Sequence, residues 1–376
     1  MTRKYCRVCA GAFYTDPILQ FSNMPKAAQH LPDATSLQDD QGVNLEVCQC
    51  SACGLVQLSN EPVSYHKEVI RASAFSQEMK KFRQTQFAEF VAQHDLKNKK
   101  VIEVGAGKGE YLSLMKDAGA HAYGIEHAEE SVAACISAGL QVSKDYIDHW
   151  GHRLRDAPFD AFFILNFFEH LPDPNSTLQA LHRNLKPEGI GLIEVPNFDM
   201  ILRSNLFTEF IGDHLFYFTK ETLKSTLERN GYEILECEEV WYDYILSATI
   251  RKRQKVDVRS FDTHRQKLKK EIYAYIDSFE KVAVWGAGHQ ALAVLALLDL
   301  QDKIDYVVDS APFKQGKYTP ATHLPILSPA TLQVMPVDAI IVMAASYSDE
   351  VAKKIKNNFN ISSDIAILRD IGLQEL

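Results

Sequence analysis

No stretch of the 376-residue sequence approaches the roughly 18 uninterrupted apolar residues of a membrane span. The opening MTRKYCRVCAG begins with charge but has no apolar run behind it, so no secretory leader is expected and the expected compartment is the cytoplasm. Basic charge is also short. The 40 Lys and Arg against 49 Asp and Glu leave a formal net charge of −9, which argues against a sequence-independent grip on nucleic-acid phosphates. Beyond Cys53 cysteine nearly vanishes, with only Cys135 and Cys237 left of seven. The rest of the composition, 46% hydrophobic and 24% charged, is that of a soluble globular protein. The length exceeds what one hydrophobic core usually supports, so two large domains plus a smaller module are expected.

The cysteines that are present crowd the start. CRVC and CSAC each close a Cys-x-x-Cys knuckle, and two knuckles supply the four thiolates of a tetrahedral zinc site at Cys6, Cys9, Cys50 and Cys53. Disulfides are the competing reading, disfavoured in a reducing cytosol, and buried apolar thiols are another. Cys48, in VCQCSAC, also stands within reach; knuckle spacing favours Cys50 and Cys53. Four thiolates leave no open coordination position, so the expected zinc is structural. The segment between the knuckles, with NMPKAAQHLPD, buries little core alone, so metal binding is expected to provide much of its folding energy.

The middle of the chain alternates strand and helix signals. KKVIEVGAGKGEYLSLMKDAG is a short β-rich run, a glycine turn, then apolar residues at Tyr111, Leu112, Leu114 and Met115 with helical spacing. Gly105, Gly107 and Gly109 let the backbone approach a ligand, and the helix start offers unpaired N–H groups. About twenty residues on, AHAYGIEHAEES ends a second strand with Glu126, followed by His127. FDAFFILNFFEHLPDP and LKPEGIGLIEVPN supply a third and a fourth strand. The alternation implies an α/β fold, a doubly wound parallel sheet with its ligand at the strands' carboxyl ends.

A glycine turn alone also suits a nicotinamide dehydrogenase. Here Glu103 precedes the glycines, and FFEHLPDP and LKPEGIGLIEVPN follow at later strand ends. From about residue 80 to 250 this set resembles the class I S-adenosylmethionine-dependent methyltransferases. By that likeness Glu103, Gly105, Ala106 and Gly107 border the methionine part, and Glu126 with His127 the ribose. Asn166 and Phe167 then wall the transferred methyl, and His170 orients the donor site; core packing is the competing role for Phe167 and Phe168.

VAVWGAGHQALAVLALLDL repeats the strand, glycine turn and helix near the other end, with Asp309 closing the next strand. Together with CGLVQL, DSAPFKQGKYTPATHLPI and SYSDE, the whole chain resembles the nucleotide-sugar C-methyltransferases of deoxysugar pathways. The resemblance implies a zinc module with acceptor-side loops over 1–75 and a methyltransferase domain over 76–250. A connecting helix over 251–278 and a second Rossmann-like domain over 279–376 complete the expected order. It also implies a nucleoside-diphosphate keto-sugar held in a cleft between domains, S-adenosylmethionine on the first cradle and structural zinc. NAD is the competing ligand of the second cradle.

Methylation of carbon requires a proton removed beside a carbonyl by a base whose pKa lies near the working pH, with donors for the enolate. His214 suits the base, with Asp213 beside it in sequence and Tyr217 as a donor to the enolate or a packing residue. The family's Tyr-x-Glu-His stretch reads IGDH here, with Ile211 at the tyrosine position. On the acceptor side the expected contacts are Met24, Lys26, Gln29, Tyr65, Arg71, Ser73, Asn197 and Tyr347, with Arg71 suited to a diphosphate. The alternatives are methyl transfer to oxygen or nitrogen of another small molecule, and a donor-binding protein without catalysis.

Overall fold

The computed structural model describes residues 3–29, 31–67, 76–359 and 361–376. The chain divides into two compact units, Met1–Gln254 and Lys255–Leu376. Among the described residues no helix is long and apolar enough to cross a membrane.

Strands of the first unit are β1 (Leu19–Met24), β2 (Val43–Gln49), β3 (Val56–Leu58), β4 (Lys100–Val104), β5 (His121–Glu126) and β6 (Gln141–Lys144). They continue with β7 (Phe159–Leu165), β8 (Leu185–Pro196), β9 (Phe216–Tyr217), β10 (Tyr232–Val240) and β11 (Ile245–Lys252). Its helices are α1 (Gln77–Gln93), α2 (Glu110–Asp117), α3 (Glu129–Ser137), α4 (Pro174–Asn184), α5 (Phe198–Ser204) and α6 (Lys220–Arg229).

Seven strands form the main sheet in the order β10-β11-β8-β7-β4-β5-β6. Strands β4 to β8 run parallel, and β11 lies antiparallel between β8 and β10. Parallel strands covered on both faces read as continuous apolar runs. Residues 161–165 of β7 are accordingly all buried, and Tyr111, Leu112, Leu114 and Met115 of α2 close one face. Strand β4 has β5 on one side and β7 on the other, so the connections diverge after Val104 and leave a crevice at that point. On the same face, α1 packs beside α2 and is tied to the sheet by a fully buried ion pair between Arg83 and Glu194 of β8.

The cysteine-bearing segment does not stand apart as a self-contained module. Strand β3 pairs with β9, Val56 opposite Tyr217, completing a four-stranded sheet β1-β2-β3-β9. Cys6, Val8, Cys50 and Leu55 share one apolar cluster with Phe168, Phe216, Phe218 and Leu223. The segment has too little apolar area for its own core and completes it on the seven-stranded sheet.

The second unit opens with α7 (Arg259–Ile276) and continues through β12 (Val282–Trp285), α8 (His289–Leu297), β13 (Tyr306–Val308), β14 (Lys317–Tyr318) and β15 (Pro325–Leu327). It ends with α9 (Thr331–Val334), β16 (Ala339–Val342), α10 (Ser348–Asn358), β17 (Asp364–Arg369) and β18 (Gly372–Glu375). The strand order is β14-β15-β13-β12-β16-β17-β18, with the two edge strands antiparallel and the rest parallel. Gly286, after β12, has φ of 119° and no room for a side chain, because a Cβ would lie 2.5 Å from the Met343 carbonyl oxygen. Asp309 fills the place that Glu126 has in the first unit: it accepts from the Ala287 amide at 2.8 Å and pairs with Lys314 at 2.8 Å. The helix expected as a connector is part of this unit. Ile272, Tyr275 and Ile276 lie on one helical face and are buried in its core, while the first turns of α7, with Phe261, stand in solvent.

Candidate functional site

Past Val104 the chain turns through Gly105 and Gly107, at φ of 76° and 55°. A Cβ at Gly105 would lie 3.1 Å from the Phe167 ring, so glycine is what allows the loop to pass beneath that ring. The Gly105 and Ala106 amides donate to the Ile125 carbonyl at 3.0 and 3.1 Å. The Gly107 amide donates to Glu126 Oε2 and the Ala128 amide to Oε1, each at 2.9 Å. Each Glu126 oxygen thus has one anchoring amide and keeps a further lone pair for a ligand hydroxyl. Glu103 is buried beneath the loop, and Asn166, at φ of 50°, bonds through its amide to the Glu194 carbonyl at 2.9 Å.

The cleft above this loop is open to solvent and is walled by Gly105, Glu126, His127 and Phe167. Lys67, Asp145, Tyr146 and Ile147 complete the wall and were not foreseen. The Tyr146 ring centroid is 4.7 Å from the Lys67 ammonium and 5.9 Å from the His127 ring. A usable signal existed for three of them: KDYI closes β6, the next parallel strand, and ligands gather at such carboxyl ends. Lys67 carried no signal, since it reaches the cleft from the segment that follows the cysteines.

Beyond Phe167 lies a second group. Glu169 and His170 sit in a tight turn after β7, and the 213–215 segment lies against them. His170 Nδ1 is 2.8 Å from the Asp213 carbonyl oxygen, and the Leu215 amide donates to the Glu169 carbonyl at 2.9 Å. The His170 and His214 rings meet edge to face with centroids 4.9 Å apart. Asp213 is buried, its carboxylate held by the Tyr65 hydroxyl at 2.9 Å, and the Ala28 amide donates to that hydroxyl at 2.8 Å. Burial, then the carboxylate, raises the Tyr65 pKa. Burial presses His214 down to about 3 and lowers His170 as well, so both are neutral imidazoles near pH 7. His214 nonetheless keeps part of its surface open to solvent.

The loop NMPKAAQ reaches this group. Met24 ends β1, the Lys26 carbonyl oxygen approaches to 3.9 Å of the Cβ position on Gly212, and Gln29 bonds to Tyr65 through its main chain. Two expected residues serve elsewhere. The Tyr217 hydroxyl is engaged by the Ile211 main chain, at 3.1 Å from its amide, and its ring packs between Phe198 and Phe210, so it is a packing residue rather than an enolate donor. Asn197 is fully buried: it caps α5 by accepting from Asp199 N at 3.0 Å and donates to the Asp243 carbonyl at 2.7 Å, so it is unavailable to a substrate. Tyr347 lies exposed in the second unit, and Arg71 and Ser73 fall outside the described residues.

Cys6, Cys9, Cys50 and Cys53 come together with every sulfur within 4.8 Å of the others; Cys48 stays outside the group. The Cys6–Cys53 and Cys9–Cys50 separations are 3.7 and 3.4 Å. Thiolates about 2.3 Å from a tetrahedral zinc lie about 3.8 Å apart, so the set needs only a small adjustment to close on the ion. Amides of Val8 and Gly11 point at Cys6 and Cys9 sulfurs at 3.4 and 3.3 Å, and Gln57 Nε2 lies 3.2 Å from Cys6 Sγ. These donors suit sulfur that carries negative charge.

Comparison with known proteins follows the same division. Residues 75–237 match the family profile described as a methyltransferase domain, and residues 253–365 match that of a C-methyltransferase C-terminal domain. The chain is 23% identical to C-methyltransferase NovU of Streptomyces niveus over 385 aligned residues, covering 92% of this chain and 90% of that one. The ubiquinone biosynthesis O-methyltransferase of Pseudomonas aeruginosa is 33% identical over 99 residues, which are 25% of this chain and 43% of that protein. A solved S-adenosylmethionine-dependent methyltransferase from Clostridium acetobutylicum covers 50% of this chain and 96% of its own at 11% identity, with a TM-score of 0.39.

Proposed function

Because this chain belongs to the S-adenosylmethionine-dependent C-methyltransferases, we propose that it methylates a carbon beside the carbonyl of a nucleotide-linked keto-sugar, with His214 as the base. The observation that carries the reading is the His170–His214 ring pair, placed next to Phe167 on the donor cleft and anchored through Asp213. When bound, S-adenosylmethionine would supply an electrophilic methyl group, to which an electron-rich carbon bonds in line as the neutral thioether departs.

This chain's residues bind, orient and manage the proton. Glu126 receives the ribose hydroxyls on its remaining lone pairs, and the 105–107 backbone borders the amino-acid end. Asp145, Tyr146 and Ile147 form the wall for the base ring. Phe167 closes the cleft and excludes water from the transferred group. His214, neutral at working pH, takes the proton from the acceptor carbon, and its neighbour His170 is fixed by the main chain of Asp213. The loop 24–29 and Tyr65 frame the acceptor, with Arg71 and Ser73 as further contacts. A zinc ion at Cys6, Cys9, Cys50 and Cys53 holds the segment that carries these acceptor residues, and thiolates of this kind persist in the cytoplasm.

The test is incubation with donor and a panel of nucleoside-diphosphate keto-sugars, read by mass for one added methyl. Loss of turnover in His214→Ala with donor affinity retained supports the base assignment. Full turnover in that variant, or methylation only of hydroxyl or amino acceptors lacking a ketone, overturns the reading.

A further inference from the structure

Glu169 has no role in the reading above, yet its surroundings are unusual. The side chain is 1% exposed, and Oε2 has neither a hydrogen-bond partner nor solvent. Oε1 lies 3.7 Å from His170 Nε2, and no lysine or arginine pairs with it among the described residues. His170 Nδ1 faces a carbonyl oxygen, which can only accept, so the proton of the neutral ring is on Nδ1 and Nε2 carries the lone pair, 3.7 Å from Glu169 Oε1. Glu169, His170 and His214 each offer one atom within 4.8 Å of the other two. Burial without a cation makes the carboxyl hold its proton more tightly and pushes Glu169 up to about 8, so the ionised form that can accept a proton grows in as pH rises toward 8.

We propose that Glu169 is the proton-exchanging partner of the histidine pair, taking through His170 the proton that His214 removes from the acceptor carbon. The inference rests on the reading of His214 as the base. As the C–H bond breaks, its electron pair becomes the enolate, and the proton goes to the free ring nitrogen of His214. An imidazolium in that place is opposed by burial. With Glu169 ionised, the proton passes from His214 to His170 Nε2 and on to Glu169 Oε1, ending as a neutral acid beside two neutral imidazoles. The enolate pair then forms the bond to the methyl group as the methyl–sulfur bond breaks and its electrons leave with the neutral thioether, and the proton leaves by the reverse path through the open edge of His214. The other ionisable groups near Glu169 are Asp213, held by Tyr65, and Tyr244, whose hydroxyl is bound to Glu209 at 2.8 Å.

The discriminating variants are Glu169→Gln and Glu169→Asp in the full chain. Glutamine keeps the volume and can donate to His170 Nε2, but it cannot pass a proton on. Its expected effect is a fall in kcat of about 10-fold to 10²-fold, with acceptor KM and donor Kd little changed. The wild-type dependence of kcat on pH should show a limb near 8 that the glutamine variant lacks and the aspartate variant retains. Wild-type kcat and the same limb in Glu169→Gln overturn the proposal, as does a rise in KM with kcat intact. A second metal ion per chain that Glu169→Gln loses also overturns it. Deuterium uptake at the acceptor carbon in D2O without donor separates the two layers. Uptake that persists in His214→Ala removes the base assignment itself; uptake lost in His214→Ala but unchanged in Glu169→Gln removes only the role of Glu169.

Discussion

The Tyr65 hydroxyl lies 2.9 Å from both carboxylate oxygens of Asp213, joining residues 148 positions apart. This contact connects the chain that follows the cysteines to the segment bearing His214. It also replaces solvent for a carboxylate that is 4% exposed. Tyr65→Phe leaves that carboxylate without its hydroxyl donor, and the expected loss is about 1–3 kcal/mol of stability. Chemical denaturation reads it directly, and turnover should fall with donor affinity retained.

Glu126 is anchored by two main-chain amides, so its removal frees the loop as well as the proposed ribose contact. Glu126→Ala should weaken S-adenosylmethionine binding by about 1–3 kcal/mol. Calorimetric titration of both proteins checks this, and equal affinities would count against the assignment.

Arg83 and Glu194 are both fully buried, and Gln86 supports the same carboxylate at 2.5 Å. Removing one member leaves the other charge unpaired away from water. Arg83→Leu should cost about 3–5 kcal/mol, seen as a lower denaturation midpoint.

The four clustered cysteines lie in a segment that shares its apolar cluster with the seven-stranded sheet. Protein purified without added metal should contain about one zinc per chain. Chelation, or Cys50→Ser, should lower the unfolding temperature of the whole first unit, read by calorimetry with metal analysis alongside.

Glu169 and His214 give stability opposite dependences on pH. For Glu169 the folded pKa, about 8, lies above the 4.5 of an unburied glutamate, so its contribution is complete below 4.5 and is lost as pH rises to about 8. For His214 the folded value of about 3 lies below 6.5, so stability is complete above 6.5 and is lost as pH falls toward 3. Glu169→Gln should therefore gain on wild type as pH is raised from 4.5 to 8, measured by denaturant unfolding at each pH.

The strand, glycine turn and helix around Gly105 were readable because their signals are local. VIEVGAGKGEYL specifies a strand, a turn needing glycine and a helix within a dozen residues, and the structure has β4, Gly105 beneath Phe167, and α2 there. The parallel β4–β8 core likewise follows from alternating strand and helix patterns, whereas the antiparallel β10 and β11 depart from the all-parallel sheet expected. The acceptor side depends on distant pairings that no periodicity encodes. Pairing of β3 with β9 moves the cysteine segment onto the main core, and only then does Tyr65 meet Asp213. FFEH reads equally well as plain packing, and Phe168 is indeed core, stacked on Phe218. The unusual character of Glu169, next along the chain, comes from what surrounds it. Asn197 misled for the reverse reason: a polar residue at a strand end resembles a ligand contact until its helix-capping bonds are seen.

The most direct measurement is the carbon-13 spectrum of product formed from donor labelled in its methyl group, with a nucleoside-diphosphate keto-sugar as acceptor. The expected result is a labelled methyl coupled to a ring carbon beside the carbonyl, absent when His214 is replaced by alanine. A methoxy or N-methyl signal, or label remaining wholly in the donor with every keto-sugar tried, would contradict it.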